Sequence, residues 1–260
     1  MRTPLIAGNW KMNTTIDEAV ELVHKMLGDL KRIDNVEKVV CPPFISLEAV
    51  AEILRGSSVK LGAQNMHFAD KGAYTGEISP TMLASLCSFV IIGHSERRQY
   101  FNDTDEIINK KIKASIKTGI TPILCVGEKL EDNTDGKTAE VINRQLELAL
   151  ADIENPGDIV IAYEPIWAIG SGKSASAQQA NTTIKIIRER FADIINTEAA
   201  ESIRILYGGS VTADNIAEFT GQTEIDGALI GGASLNAEQF ISIVEQTATA
   251  SSSQTDMINE

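Results

Sequence analysis

Short apolar runs recur along the whole chain: "PLIAGN", "KVVCPP", "VKLGAQN", "FVIIGHS", "PILCVGE", "IVIAYEP", "IRILYGG" and "GALIGG". Their apolar character is nearly continuous rather than alternating, the signature of strands covered on both faces. Between most of them lies a longer segment of helical period. In Ile16–Leu30 the positions Ile16, Ala19, Val20, Val23, Met26, Leu27 and Leu30 step by threes and fours along one face. Ile108, Ile112 and Ile116 repeat the step, as do Ala180, Ile184, Ile187 and Phe191. Another helix is expected from Asn236, with Gln239 three residues on as a capping signal before "FISIV".

Eight strand-like runs alternating with helices imply parallel βαβ units. Eight such units in 260 residues fit a single-domain α/β fold, the (β/α)8 barrel. A doubly wound open sheet is the alternative that the same pattern allows. No linker or low-complexity stretch divides residues 1–250, and "SSSQTDMINE" (251–260) reads as a loose polar tail.

Composition narrows the function classes. The formal net charge of −13 argues against nucleic acid and anionic membranes as partners. A small anion stays open, because charges beyond roughly 8–10 Å are screened and a few local donors decide its binding. No apolar run approaches the ~20 residues that span a bilayer, and no apolar signal segment precedes the first strand. Cys41, Cys87 and Cys125 are odd in number and contain no CxxC, which supports neither a disulfide framework nor a thiolate zinc site. A soluble cytoplasmic protein is expected.

In a barrel, the ends of the strands and the loops after them form one mouth. The residues there are Asn9 and Lys11; His94; Glu164; Gly208, Gly209 and Ser210; Gly231 and Gly232. Glu164, between Tyr163 and Pro165, is partly desolvated and suited to act as a base; it could equally cap a helix or pair with an arginine. His94 lies between a strand and a helix-like segment, where helix amides would keep it neutral, although a satisfied loop histidine is the plainer reading. Lys11 could be a solvated lysine, and Glu96, Arg97 and Arg98 surface ion pairs. His24 and His67 have no such setting and read as structural. "YGGSV" and "LIGGASL" each end a strand with a glycine pair and are expected to open a helix, which aims free N–H groups at a phosphate.

Two look-alikes fail on spacing. "GSGKSA" fits part of a dinucleotide or P-loop pattern, but "PIWAI" separates it from its strand. "EDNTDG" resembles a calcium loop, yet Ile142 falls where the last ligand belongs. Asp103, Asp105 and Glu106 read as helix N-terminal charges rather than metal ligands. No metal and no cofactor is implied.

The chain closely resembles the triosephosphate isomerase family, and "AGNWKMN", "GAQNMHFADKGAYTGEIS", "IIGHSERR", "CVGE", "AYEPIWAIGSGK", "ILYGGSV" and "LIGGASL" carry the likeness in family order. The resemblance implies a TIM barrel that interconverts dihydroxyacetone phosphate and glyceraldehyde 3-phosphate without a metal, through an enediolate. This enzyme is a standard illustration of tuned catalytic acidities and of a gating lid. By similarity Glu164 is the base, neutral His94 donates to the substrate oxygens, and Lys11 and Asn9 stabilise the oxyanion. Gly170, Ser210, Gly231 and Gly232 match phosphate-binding positions. Glu96 matches an acid that positions Lys11, and Cys125 a buried supporting residue.

Pro165–Trp167 and Lys173–Ala175 match the lid hinges. Ser171, Ser174 and Ser176 stand where threonine is frequent, each keeping the hydroxyl. The long segment from Gln64 to Ser79 needs a functional reason within a compact domain. In the family it inserts into a second subunit, with Thr75 near the partner's site, which implies a homodimer. A different phosphate-binding barrel enzyme would explain the glycine pairs but not His94, Lys11 and Glu164 with a lid. A pure binding module would have a broken catalytic set.

Overall fold

The computed structural model describes residues 2–169 and 175–259, with side chains as far as Ser251. Eight strands form one closed, all-parallel barrel: β1 Leu5–Asn9, β2 Glu37–Cys41, β3 Val59–Ala63, β4 Phe89–Ile92, β5 Thr121–Val126, β6 Val160–Tyr163, β7 Arg204–Tyr207 and β8 Gly227–Ile230. Each strand pairs with its neighbours in sequence, and β1 closes the ring. It runs from Leu5↔Glu37 to Asn9↔Cys41 on one side and from Leu5↔Gly227 to Gly8↔Ile230 on the other. Closure removes the open sheet and leaves no strand edge.

Alternation along the strands explains the continuous apolar runs. Leu5, Ala7, Val39, Cys41, Phe89, Ile91, Ile123, Cys125, Val160, Ala162, Leu206 and Leu229 form a buried cluster of their own. These twelve residues match the three layers of four that fill such a barrel. Their neighbours, among them Ile6, Val40, Ile92, Leu124, Ile161 and Ile205, belong instead to the core shared with the helices.

The helices begin and end where the sequence marks them. Ile16–Leu30 is helical over its full predicted length, and Thr15 and Glu18 form a reciprocal capping box. Helix Asp105–Thr118 is capped by Thr104 and stops at Gly119, whose φ of 75° is a left-handed conformation that glycine adopts without steric cost. Helix Ala177–Ile194 starts from Ser176 with Gln179 three residues on. Asn236 accepts the Gln239 N–H at 2.9 Å, as its capping signal requires. Each such cap is worth about 1 kcal/mol.

Two expectations are corrected. The glycine pair of "YGGSV" does not open a helix: the chain turns over Ser210–Asn215, with Asn215 Oδ1 accepting the Thr212 N–H, and helix Ile216–Thr220 starts only afterwards. Asp103 is not a free helix-end charge. It is buried and takes Arg97 Nε at 2.9 Å and Lys111 Nζ at 2.8 Å, because a buried carboxylate needs a partner more than a helix end needs a charge. Asp105 and Glu106 do lie in the first helical turn. The last helix, Ala237–Asn259, continues through the stretch read as a polar tail, which contains no glycine or proline to stop it. No helix among the described residues is long and apolar enough to cross a membrane.

Candidate active site

The C-terminal ends of the strands bring the candidate residues together around a cavity of about 610 Å³. Asn9, Lys11, His94, Glu164, Ser210, Gly231 and Gly232 all line it. Gly170 lies outside the described residues, as do Ser171, Gly172, Lys173 and Ser174.

Lys11 follows β1 with φ 53°, a left-handed conformation that costs a residue with a Cβ about 1–3 kcal/mol. Three contacts over-determine it. Its N–H donates to Asn9 Oδ1 at 3.0 Å, its carbonyl accepts Gln64 Nε2 at 2.8 Å, and its ammonium lies 2.6 Å from Glu96 Oε1. Glu96 thus reaches Lys11 as the resemblance implied, although both side chains are partly exposed and the pair alone contributes little stability.

His94 caps helix Ser95–Tyr100, and its Nδ1 accepts the Glu96 N–H at 3.2 Å. A nitrogen that accepts carries no proton, so the imidazole is the neutral Nε2–H form. Nε2 faces Glu164 Oε1 at 2.9 Å. Burial disfavours the imidazolium, but the Glu164 charge and hydrogen bond, then Glu96, outweigh burial and Lys11 and raise the proton affinity of His94. That rise belongs to the arrangement in which Glu164 rests against the ring, and the Nδ1 geometry defines the tautomer.

Glu164 is only 2% exposed. Its N–H is anchored on Val126 O at 2.7 Å, and its Oε2 accepts the Ser95 N–H at 2.8 Å. A helix-start amide and an imidazole N–H therefore replace the water this carboxylate loses. Cys125 is fully buried, and burial first and the Glu164 charge second push its thiol well above the ordinary range. It is a packing residue without a thiolate.

Sequence reasoning missed Glu128, whose letter closes the "CVGE" run. It is fully buried. Its Oε1 accepts Trp167 Nε1 at 2.9 Å, Asn133 Nδ2 at 3.1 Å and the Tyr163 hydroxyl at 3.2 Å. Burial pushes its acidity toward the neutral form, against these donors. The Glu128 carbonyl also accepts the Ile166 N–H at 3.1 Å, so this one residue ties down the short helix Ile166–Ala168 after Pro165. Gln64 was missed as well; a lone polar residue after a strand carries no signal of its long-range partner.

A second cavity of about 470 Å³ shares Asn9, Lys11 and His94 with the first and extends past Gln64 to Gly76 and Phe101. Met12, Phe44, Ile45, Tyr74 and Phe101 are exposed apolar side chains, and Met12, Phe44 and Phe101 line this cavity. Thr75 is exposed on the irregular segment beside Tyr74.

The triosephosphate isomerase family model matches residues 4–247. The chain is 56% identical to a triosephosphate isomerase of Dehalococcoides mccartyi (strain CBDB1) over 248 residues, 95% of this chain and 98% of that protein. It is 54% identical to a triosephosphate isomerase of Clostridium perfringens (strain SM101 / Type A) over 247 residues, covering 94% and 99%. A third relative, from Caldanaerobacter subterraneus subsp. tengcongensis, bears the same name at 51% identity with the same coverage. With a closed eight-strand barrel, an acid–imidazole–ammonium cluster at its mouth and matches of this length, the chain belongs to the triosephosphate isomerase family.

Proposed function

We propose that this chain interconverts D-glyceraldehyde 3-phosphate and dihydroxyacetone phosphate, with Glu164 as the base that moves the proton. The observation that carries the reading is the Glu164–His94 contact at 2.9 Å beside Lys11, on the wall of a cavity that also holds the Gly231–Gly232 pair.

The phosphate is held by Ser210 and the amides of Gly231 and Gly232. Lys11 and Asn9 hold the substrate's carbonyl end. Glu164 leaves the Ser95 amide and removes the proton from the carbon beside the carbonyl. The C–H electron pair forms the C=C bond, and the carbonyl electrons move to oxygen as an enediolate. His94 Nε2–H and the Lys11 ammonium stabilise that oxyanion. Protonated Glu164 then delivers its proton to the neighbouring carbon, and the hydroxyl proton passes between the two oxygens along His94. No step requires a metal or a cofactor.

The motion of Glu164 resolves the protonation of His94. Once the carboxylate turns to substrate, the largest influence raising the proton affinity of His94 is gone. Burial and Lys11 then favour the neutral ring that a weak hydrogen-bond donor requires.

The functional unit is a homodimer. The exposed apolar group around Met12, Phe44, Ile45, Tyr74 and Phe101, next to the catalytic Lys11, is the kind of surface that a second subunit covers. The Thr75 tip reaches across it. We assign the protein to the cytoplasm, in keeping with three free thiols.

The test is isomerisation of glyceraldehyde 3-phosphate by the purified chain, coupled to NADH-dependent reduction of the ketose. Turnover well above the uncatalysed rate supports the reading. A folded dimer with no turnover would leave a phosphate-binding scaffold in its place.

A further inference from the structure

Backbone groups at the end of β5 find partners outside the ladder, and two of those partners are side chains. The β4–β5 ladder ends at Ile92↔Leu124. Beyond it, the Cys125 carbonyl accepts Arg98 Nη2 at 3.2 Å, the Val126 carbonyl accepts the Glu164 N–H, and the Glu128 carbonyl accepts the Ile166 N–H. Gly127 sits between these last two. Its N–H donates to Gln145 Oε1 at 2.8 Å and its carbonyl accepts Gln145 Nε2 at 3.0 Å. One carboxamide thus gives both groups what an adjacent strand would have given them, and the doubled contact fixes which end of the amide is oxygen.

Gln145 lies on helix Thr138–Ala149 in the buried stripe with Val141, Ile142, Leu146 and Ala149, a polar residue in an apolar row. It is 6% exposed. Gly127 in turn lies against the backbone of Glu164: a Cβ on Gly127 would fall 1.7 Å from the Glu164 carbonyl oxygen. No side chain fits there, so Gly127 can be fixed only through its backbone. We propose that Gln145 is a positioning residue for the isomerisation. Its amide clamps Gly127, and through it the Val126–Glu128 segment that holds the backbone of Glu164 and the first turn of the lid hinge.

The inference rests on Glu164 being the base, and it makes a claim that a core glutamine would not. Loss of the clamp lets the carboxylate wander by tenths of an ångström. That lowers kcat while the phosphate end, built from β7 and β8, still binds. The test is a pair of variants assayed beside the wild type from pH 6 to 9, with inorganic phosphate as a competing ligand. Gln145→Met keeps the volume and removes both hydrogen bonds; kcat should fall about tenfold for a misplacement of tenths of an ångström. KM and the phosphate inhibition constant should stay within about twofold, because no substrate-touching group has changed.

Gln145→Glu is the rescue. As a carboxylic acid, the form that burial at this position and the facing carbonyl favour, it pairs with Gly127 as the amide does, donating to the carbonyl and accepting from the N–H; as a carboxylate it repels that carbonyl. Relative to wild type at the same pH, its kcat should exceed that of Gln145→Met at pH 6, whether it declines toward pH 9 or stays protonated throughout. Wild-type kcat in a folded Gln145→Met would overturn the proposal. So would equal losses in both variants across the pH range, or a loss confined to KM. If Gln145→Met does not fold, the same comparison is made between Gln145→Glu and Gln145→Leu. Absence of turnover in the wild type itself would sink the isomerase reading instead, a distinguishable result.

Discussion

The position of Glu164 depends on the absence of a side chain at Gly127, and Gly127→Ala measures how strictly. The added Cβ would lie 1.7 Å from the Glu164 carbonyl oxygen and 2.6 Å from its carbonyl carbon. An unstrained C···O approach is about 3.3 Å, so the two backbones must part by roughly 1.6 Å, or roughly 0.8 Å each if they share the movement. Backbone on both sides leaves no flexible side chain to yield. A displacement of about 1 Å at a reacting group costs about 10²-fold, so kcat should fall by about 30- to 100-fold. KM should change little, because Lys11, Ser210 and the Gly231–Gly232 pair lie on other strands. Overpacking should also cost about 1–3 kcal/mol of stability, lowering Tm by roughly 2–4 °C for each kcal/mol. The coupled isomerase assay and a thermal melt on one preparation read both effects. A variant within threefold of wild type in kcat would refute the claim that this contact positions the base.

Three further outcomes follow from the same geometry. Glu164→Gln should abolish most turnover while leaving inhibition by inorganic phosphate intact. It should also lower the pKa of His94, since it removes the Glu164 charge, the largest influence that raises it; an NMR titration of the ring that shows a rise would contradict this. Lys11→Ala should raise KM and lower kcat together, because the ammonium serves both the bound substrate and the oxyanion; wild-type affinity would remove Lys11 from the site. The three thiols should resist alkylation in the native protein, since all are buried and burial pushes Cys87 up to about 12 and holds Cys41 and Cys125 well above the usual thiol range. Rapid modification of any of them near pH 8 in the folded state would show that the core around them opens.

The barrel was legible because its physics is periodic. Runs that are apolar on both faces alternate with one-sided helices, and a helix such as Ile16–Leu30 carries its own limits in Thr15 and Glu18. The chemistry was legible in part: Glu164, His94, Lys11 and Asn9 stand at strand ends, where a barrel collects them. Their division of roles came from resemblance, since a lone acid or histidine reads equally well as structure. What stayed hidden in the residues themselves was partnership set by distance in space. Gln145 meets Gly127 from 18 residues away and Lys111 meets Asn65 from 46; Lys11 meets Glu96 from 85, a pair that only the resemblance implied. A polar letter in the buried stripe at Gln145 was the only trace of the first. The segment after β7 misled because a glycine pair at a strand end suggests a helix start, whereas an Asn215–Thr212 turn intervenes.

The most direct measurement follows the proton. Isomerisation of glyceraldehyde 3-phosphate is run in D2O and the ketose product is examined by proton NMR. A carboxylate that takes the proton exposes it to exchange before returning it, so the product should carry deuterium at the newly protonated carbon, and Glu164→Gln should form almost no product in the same time. Product free of deuterium, formed by Glu164→Gln as fast as by the wild type, would mean that hydrogen moves directly between the two carbons, and Glu164 would lose its role as the base.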